Sequence, residues 1–161
     1  MIPNRAADFE KFYEAHADKV RGLLFRLVGS EVLSDLTQEV FMKAWQHRDD
    51  FRGESHASTW LYRVAYNCAI DFLRKAGERS APGKFWQNSL EKEVSHRQIV
   101  EMLLLELSWD HRTVVVLYYF EERPVREIGE ILSIAEGTVK SRLSQARQKM
   151  TELLKMKGVE L

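Results

Sequence analysis

Apolar residues recur at spacings of three and four over most of this chain, the pattern of helices that each bury one face. Phe9, Phe12, Tyr13, Val20, Leu23, Leu24 and Leu27 mark a first helix, with Asp8 placed to cap it and Gly29 to end it. The corner Gly29-Ser30 opens a second helix to about His47, whose core stripe is Leu33, Leu36, Val40 and Ala44. Phe41 and Trp45 form a second apolar pair rotated off that stripe. A helix with two apolar faces needs two partners, its own bundle and either more of this chain or another protein; the pattern equally allows Phe41 and Trp45 to be simply core. A polar loop over 49–56 leads to a third helix, capped by Ser55 or Ser58 and running to about Ala76. Leu61, Val64, Ala65, Cys68 and Phe72 are its expected buried face, opposite Trp60, Arg63, Tyr66, Asn67 and Arg74. Periodicity then stops over 77–95 and resumes near His96 with Ile99, Val100, Leu103, Leu104 and Leu107. Ser108 or Asp110 caps a further helix carrying Val114, Leu117, Tyr118 and Phe120.

The stretch 124–150 predicts two short helices around a tight corner. Pro124 suits the start of the first, where its missing N–H costs nothing, and Ile128, Ile131 and Leu132 give it an apolar stripe. Residues 133–135 make the corner, and the second helix buries Val139, Leu143, Ala146 and Met150. Its other face carries Lys140, Ser141, Ser144, Gln145 and Arg147. Short donors and cations on an amphipathic helix after a tight corner fit a helix-turn-helix entering the major groove. Periodicity alone leaves open the alternative of an ordinary αα-corner with a solvated face. The third helix is open in the same way. Trp60 and Tyr66 interleaved with Arg63 and Asn67 suit stacking on single-stranded bases, or are half-buried aromatics beside solvated polar groups.

Composition narrows the class. With 161 residues the chain makes one large or two small domains, and 45% hydrophobic and 30% charged residues with only three Pro and eight Gly favour long helices, an all-α fold; the break over 77–95 makes two small helical domains the expectation. Residues 1–76 form the first domain, 77–95 a flexible linker and 96–161 the second; the nineteen linker residues span at most about 60 Å. Phe85-Trp86 inside the linker suggests a docking point. One cysteine excludes an intrachain disulfide and fits a reducing, cytoplasmic setting, with no leader or membrane-length apolar run in view. The 24 basic and 24 acidic residues cancel, whereas a protein gripping DNA unaided would carry excess positive charge. The charge is segregated instead: six Lys or Arg against two Glu over 136–157, and six acids against three bases over 31–54. No phosphate-cradling loop, nucleophile elbow or metal-spaced Cys/His set is present, and the five histidines are scattered. The sequence therefore predicts no enzyme, no cofactor and no metal.

Two blocks, in order, carry a resemblance. The first is DLTQEVF from Asp35 with Trp45 after it, then FRGES from Phe51, TWLYRVAYN from Thr59 and DFLRK from Asp71. The second is YFE from Tyr119, Glu127-Ile128 and GTVKSRL from Gly137 with Ala146-Arg147. Together they resemble regions 2 and 4 of the extracytoplasmic-function group of bacterial RNA polymerase sigma factors, over nearly the whole chain. The resemblance implies a subunit that directs core RNA polymerase to promoters. Asp35, Gln38, Glu39, Phe41, Met42 and Trp45 would meet the polymerase. Phe51, Arg52, Gly53, Glu54, Ser55, Trp60, Arg63, Tyr66 and Asn67 would open the −10 element and hold its strand. Thr138, Lys140, Ser141, Arg142, Ser144, Gln145 and Arg147 would read the −35 element as duplex. It also implies an anti-sigma factor that masks the polymerase-binding face and answers an envelope or stress signal.

Two departures matter. The family usually has Ala where Gly129 stands and Gly where Ser133 stands, so a loosened or re-angled corner is expected here. Two readings outside the resemblance stay open, a stand-alone helix-turn-helix regulator and a ligand- or metal-sensing domain.

Overall fold

The computed structural model describes residues 2–3, 5–77 and 96–158. The expected linker, apart from Gly77, lies outside the described residues, as does Phe85-Trp86. The described residues form seven α-helices: α1 Ala6–Val28, α2 Leu33–Gln46, α3 Ala57–Lys75, α4 His96–Glu106, α5 Trp109–Val115, α6 Val125–Leu132 and α7 Glu136–Met156. No strand occurs among them.

The helix ends differ from expectation for local reasons. Helix α1 starts two residues before Asp8, which lies in the first turn, where a carboxylate suits the positive end of the helix dipole. Neither Ser55 nor Ser58 caps α3: the chain enters through extended His56, and the Ser58 hydroxyl accepts instead from Arg123 Nη1 at 3.4 Å. Ser108 does cap α5, its hydroxyl accepting from the His111 N–H at 3.4 Å.

Helices α1, α2 and α3 pack on one another around Val20, Leu23, Leu24, Val40, Leu61 and Ala65. Here the second apolar face of α2 finds its partner within the chain. Phe41 packs edge-on against Tyr13 at 4.6 Å between ring centroids, and Trp45 packs on Phe9 at 4.9 Å. The first turns of α1 cover the pair that the sequence left unassigned.

In the C-terminal half, α7 packs against α4, α5 and α6 through Val139, Leu143 and Ala146. Helix α5 runs on into a wide π-type turn over Val116–Phe120. Arg112, fully buried, collects the carbonyls of Leu104 (2.7 Å), Leu105 (2.8 Å) and Leu107 (3.2 Å) at the end of α4, and that of Leu27 (3.4 Å) at the end of α1. Burial lowers its pKa to about 10, so the guanidinium is still charged at neutral pH.

The helix-turn-helix corner is tight, correcting the expectation of a loosened one. Ser133 takes the left-handed conformation (φ 56, ψ 45), and the Ile134 N–H donates to the Gly129 carbonyl at 3.0 Å. A Cβ on residue 129 would stand 2.8 Å from the Ile134 carbonyl oxygen. The two departures work together, the glycine making room for the corner that the serine turns.

The halves also meet directly, α3 packing along α6 and the end of α1 against α5 and the π-type turn. The joint is a polar seam. Tyr62, 1% exposed, donates its hydroxyl to Glu121 Oε2 at 2.7 Å, and Arg26 approaches the other carboxylate oxygen at 3.5 Å. Gly22 on α1 faces the same carboxylate: a Cβ there would stand 3.9 Å from Glu121 Oε1 and 3.0 Å from Arg26 Nη1. Thr59 donates to Glu127 Oε2 at 2.9 Å, and Arg123 binds the Glu121 carbonyl at 2.9 Å with its guanidinium 5.2 Å over the Tyr62 ring.

Candidate nucleic-acid interface

The outward face of α7 is where the 3.6-residue period places it. With Val139, Leu143 and Ala146 turned into the core, Lys140, Ser141, Ser144, Gln145 and Arg147 are exposed, and Thr138 and Arg142 lie half-buried at its edge. Three of these side chains are held by neighbours. Arg142 pairs with Asp110 at 2.9 Å, Gln145 Oε1 stands 3.1 Å from His111 Nε2, and Arg147 donates to the Tyr119 hydroxyl at 3.1 Å. Sequence reasoning did not assign Asp110, His111 or Tyr119 to this face. The only local signal was at Tyr118-Tyr119, where consecutive aromatics cannot both follow one core stripe.

The expected −10 group lies on α3 and the loop before it. Phe51 packs edge-on against Trp60 at 5.9 Å, tying the loop to the helix. Arg52, Gly53, Glu54, Arg63 and Asn67 are exposed, while Ser55, Trp60 and Tyr66 are half-buried. Gly53 turns the loop with φ 75. Part of this surface is taken by the C-terminal half. Tyr66 stacks on Trp109 at 6.0 Å, and a cleft of about 420 Å³ is lined by Glu54, Thr59, Trp60 and Arg63 on one side and Glu130 and Ser133 on the other. Tyr62, Thr59, Glu121 and Glu127, which make the seam, fall inside the blocks that carry the resemblance but were given no role of their own. Tyr62 and Glu121 are 59 positions apart, and no local pattern links them.

On α2, Asp35, Gln38 and Met42 are exposed, Met42 at 57%, and Glu39 and Trp45 are half-buried. Phe41 is only 4% exposed, so it supports this face from below instead of contacting a partner as expected. Glu39 accepts from Lys43 at 2.8 Å, and that hydrogen bond is the main reason the Lys43 pKa is raised. Cys68 is buried, and desolvation pushes its thiol up to about 11, which leaves it a core group without nucleophilic character. Among the described residues no three His, Cys, Asp or Glu side chains are placed to share a metal ion. No helix among them is long and apolar enough to cross a membrane.

Comparison with known proteins agrees with this layout. The family description of sigma-70 region 2 matches residues 12–79, and that of sigma-70, region 4, matches residues 97–150. The chain is 32% identical to the ECF RNA polymerase sigma factor SigW of Bacillus subtilis, over 91% of this chain and 89% of that protein. It is 34% identical to the ECF RNA polymerase sigma-E factor of Escherichia coli K12, over 81% and 78% respectively. The sigma factor RpoE of Bartonella quintana, solved in complex with the anti-sigma factor NepR, superposes with a TM-score of 0.77 at 28% identity, covering 92% of this chain and 97% of that one. With two helical halves in this order and both regions matched, the chain belongs to the extracytoplasmic-function group of the sigma-70 family of RNA polymerase sigma factors.

Proposed function

Sigma factors are transcription initiation factors, and we propose how this one divides the work. Its two halves act as separate domains, one up to about residue 76 and one from about residue 96. The outward face of α7 (Thr138, Lys140, Ser141, Arg142, Ser144, Gln145 and Arg147) reads the −35 duplex. The 51–55 loop with Trp60, Arg63, Tyr66 and Asn67 holds the unpaired −10 strand, recovering in stacking part of the few kcal/mol that unpairing costs. The exposed face of α2, through Asp35, Gln38, Glu39, Met42 and Trp45, docks on core polymerase over the buried Phe41.

The chain performs no chemistry itself. Its zero net charge fits a subunit whose partner supplies much of the phosphate grip. The observation that carries the reading is the exposed, basic, polar face of α7 above an apolar face packed into the core. Two promoter elements two helical turns apart lie about 70 Å from each other. The seam therefore parts when both are engaged. The Bartonella relative, solved with its anti-sigma factor, supports the same kind of control here. By the resemblance, that control acts on a cytoplasmic pool of the protein and answers an envelope or stress signal.

The test is reconstitution. Added to core RNA polymerase, the protein co-elutes with it and yields promoter-dependent transcripts that Lys140→Ala and Trp60→Ala each reduce. Failure to co-elute or to start transcripts sinks the reading. Tight, salt-steep operator binding by the protein alone would favour a stand-alone regulator.

A further inference from the structure

Three contacts on the outward face of α7 share a feature that the −35 reading does not use. Each ties a recognition side chain to a residue 28 to 34 positions earlier in the chain: Arg147 to Tyr119, Gln145 to His111, and Arg142 to Asp110. Two of the three anchors stand in the first turn of α5, fixed by the Ser108 cap on the His111 N–H. The third is placed by the π-type turn, whose extra residue per turn rotates Tyr118 and Tyr119 off the core stripe and out beside α7.

We infer that His111 and Tyr119 are positioning residues of the −35 reader, which set the rotamers of Gln145 and Arg147 before DNA arrives, and that Asp110 holds Arg142 back from phosphate. This rests on the −35 reading proposed above. Long side chains on an exposed helix face lose rotamer freedom when they bind, and a side chain already held in place loses less. The geometry also decides what each one presents. With Nε2 protonated, His111 donates to the Gln145 amide oxygen and leaves the amide N–H groups to face the groove. There they meet acceptors such as N7 and O6 of guanine or O4 of thymine. Tyr119 takes one N–H of Arg147 and leaves the rest of the fork for DNA. Asp110 acts in the opposite sense, since its carboxylate engages Arg142 and competes with phosphate for it.

The three anchors therefore have distinguishable signatures. The experiment uses the holoenzyme, binding to a promoter and to a set of single-base −35 substitutions of it. His111→Ala and Tyr119→Phe should each lower the ratio of parent to substituted binding about three- to tenfold, at the one or two base positions that Gln145→Ala or Arg147→Ala affects. The paired changes His111→Ala with Gln145→Ala should be non-additive. His111→Gln, which keeps a donor at this place, should restore the profile. Asp110→Asn should instead raise binding to unrelated duplex and steepen its salt dependence by about one released ion.

A purely structural role would shift the melting temperature and weaken all sites alike, and would overturn the inference. It is also overturned, with the −35 reading intact, if Gln145→Ala and Lys140→Ala change −35 binding while the anchor variants leave the base profile and salt slope untouched. If Gln145→Ala and Lys140→Ala change nothing, the −35 reading itself fails and the inference falls with it.

Discussion

The seam between the halves and the outward face of α7 are built from the same side chains, Arg, Tyr and carboxylates, and they behave differently because one is dry. At the seam the Glu121 carboxylate is 7% exposed and meets a Tyr62 hydroxyl that is itself buried. On α7 the Arg142–Asp110 pair is 24% and 54% exposed. Exposed pairs contribute about 0–1 kcal/mol and rearrange readily, whereas removing one partner of a buried hydrogen bond costs about 1–3 kcal/mol. The seam therefore fixes an arrangement, while the outer face keeps pairs that can exchange partners. Yet the seam is not polar throughout. Beside its hydroxyls and carboxylates, the buried apolar residues of the two halves make one continuous cluster.

The largest expected effect is at Arg112, which belongs to both the C-terminal core and the joint. Arg112→Met fills similar space but leaves the carbonyls of Leu104, Leu105 and Leu107 without their donor. The loss should be about 3–5 kcal/mol, read as an early unfolding transition of the C-terminal half in urea. A loss below about 1 kcal/mol would mean that the guanidinium is not holding the end of α4.

Next comes the seam itself. Tyr62→Phe removes only the hydroxyl donated to Glu121 and should weaken closure by about 1–3 kcal/mol while each half melts as before. Spin labels on the exposed positions Asp18 and Gln148 would show one narrow distance distribution in the parent and a broader one in the variant. The same bond sets a pH limit. Burial first, and the hydrogen bond to Glu121 second, raise the Tyr62 pKa above its ordinary 10.0. A raised pKa in the folded state means the contribution is complete below pH 10 and is lost as pH rises further, through the folded value. The parent should open at alkaline pH more steeply than Tyr62→Phe, and identical profiles would show that the phenol does not hold the seam.

The outward face was legible in the sequence because it is the complement of a local period: once Val139, Leu143, Ala146 and Met150 are assigned inward, the outward residues follow. The seam was not. Its partners are separated by 59 and 68 positions, and each residue alone reads as an ordinary polar group. Ser58 illustrates the loss, since its spacing suggested a helix cap and its hydroxyl serves Arg123. Phe41 illustrates the opposite error. Its place off the stripe was read correctly, but whether the first turns of α1 or another protein covered it was a question of tertiary packing that α2 alone could not answer. At the corner, the sequence showed that Gly129 and Ser133 were unusual, but not that a glycine at one relieves the approach of backbone at the other.

That corner joins the two surfaces, because α6 lies along the seam and α7 carries the outward basic face. Gly129→Ala is expected to gain up to about 1 kcal/mol of helix propensity, which taken alone would stabilise α6. Against it stands the Ile134 carbonyl oxygen, 2.8 Å from the new Cβ and part of the backbone, so it cannot swing aside as a side-chain tip could. The contact outweighs the propensity, and a net loss of about 1 kcal/mol in the C-terminal half is expected from urea unfolding. The sharper readout is direction. If the corner yields by re-angling α7 against α6, −35 binding by the holoenzyme falls several-fold while the label distance across the seam is unchanged. If α6 moves instead, the seam distance changes and −35 binding holds. A variant as stable as the parent would show that the close approach at residue 129 constrains neither surface.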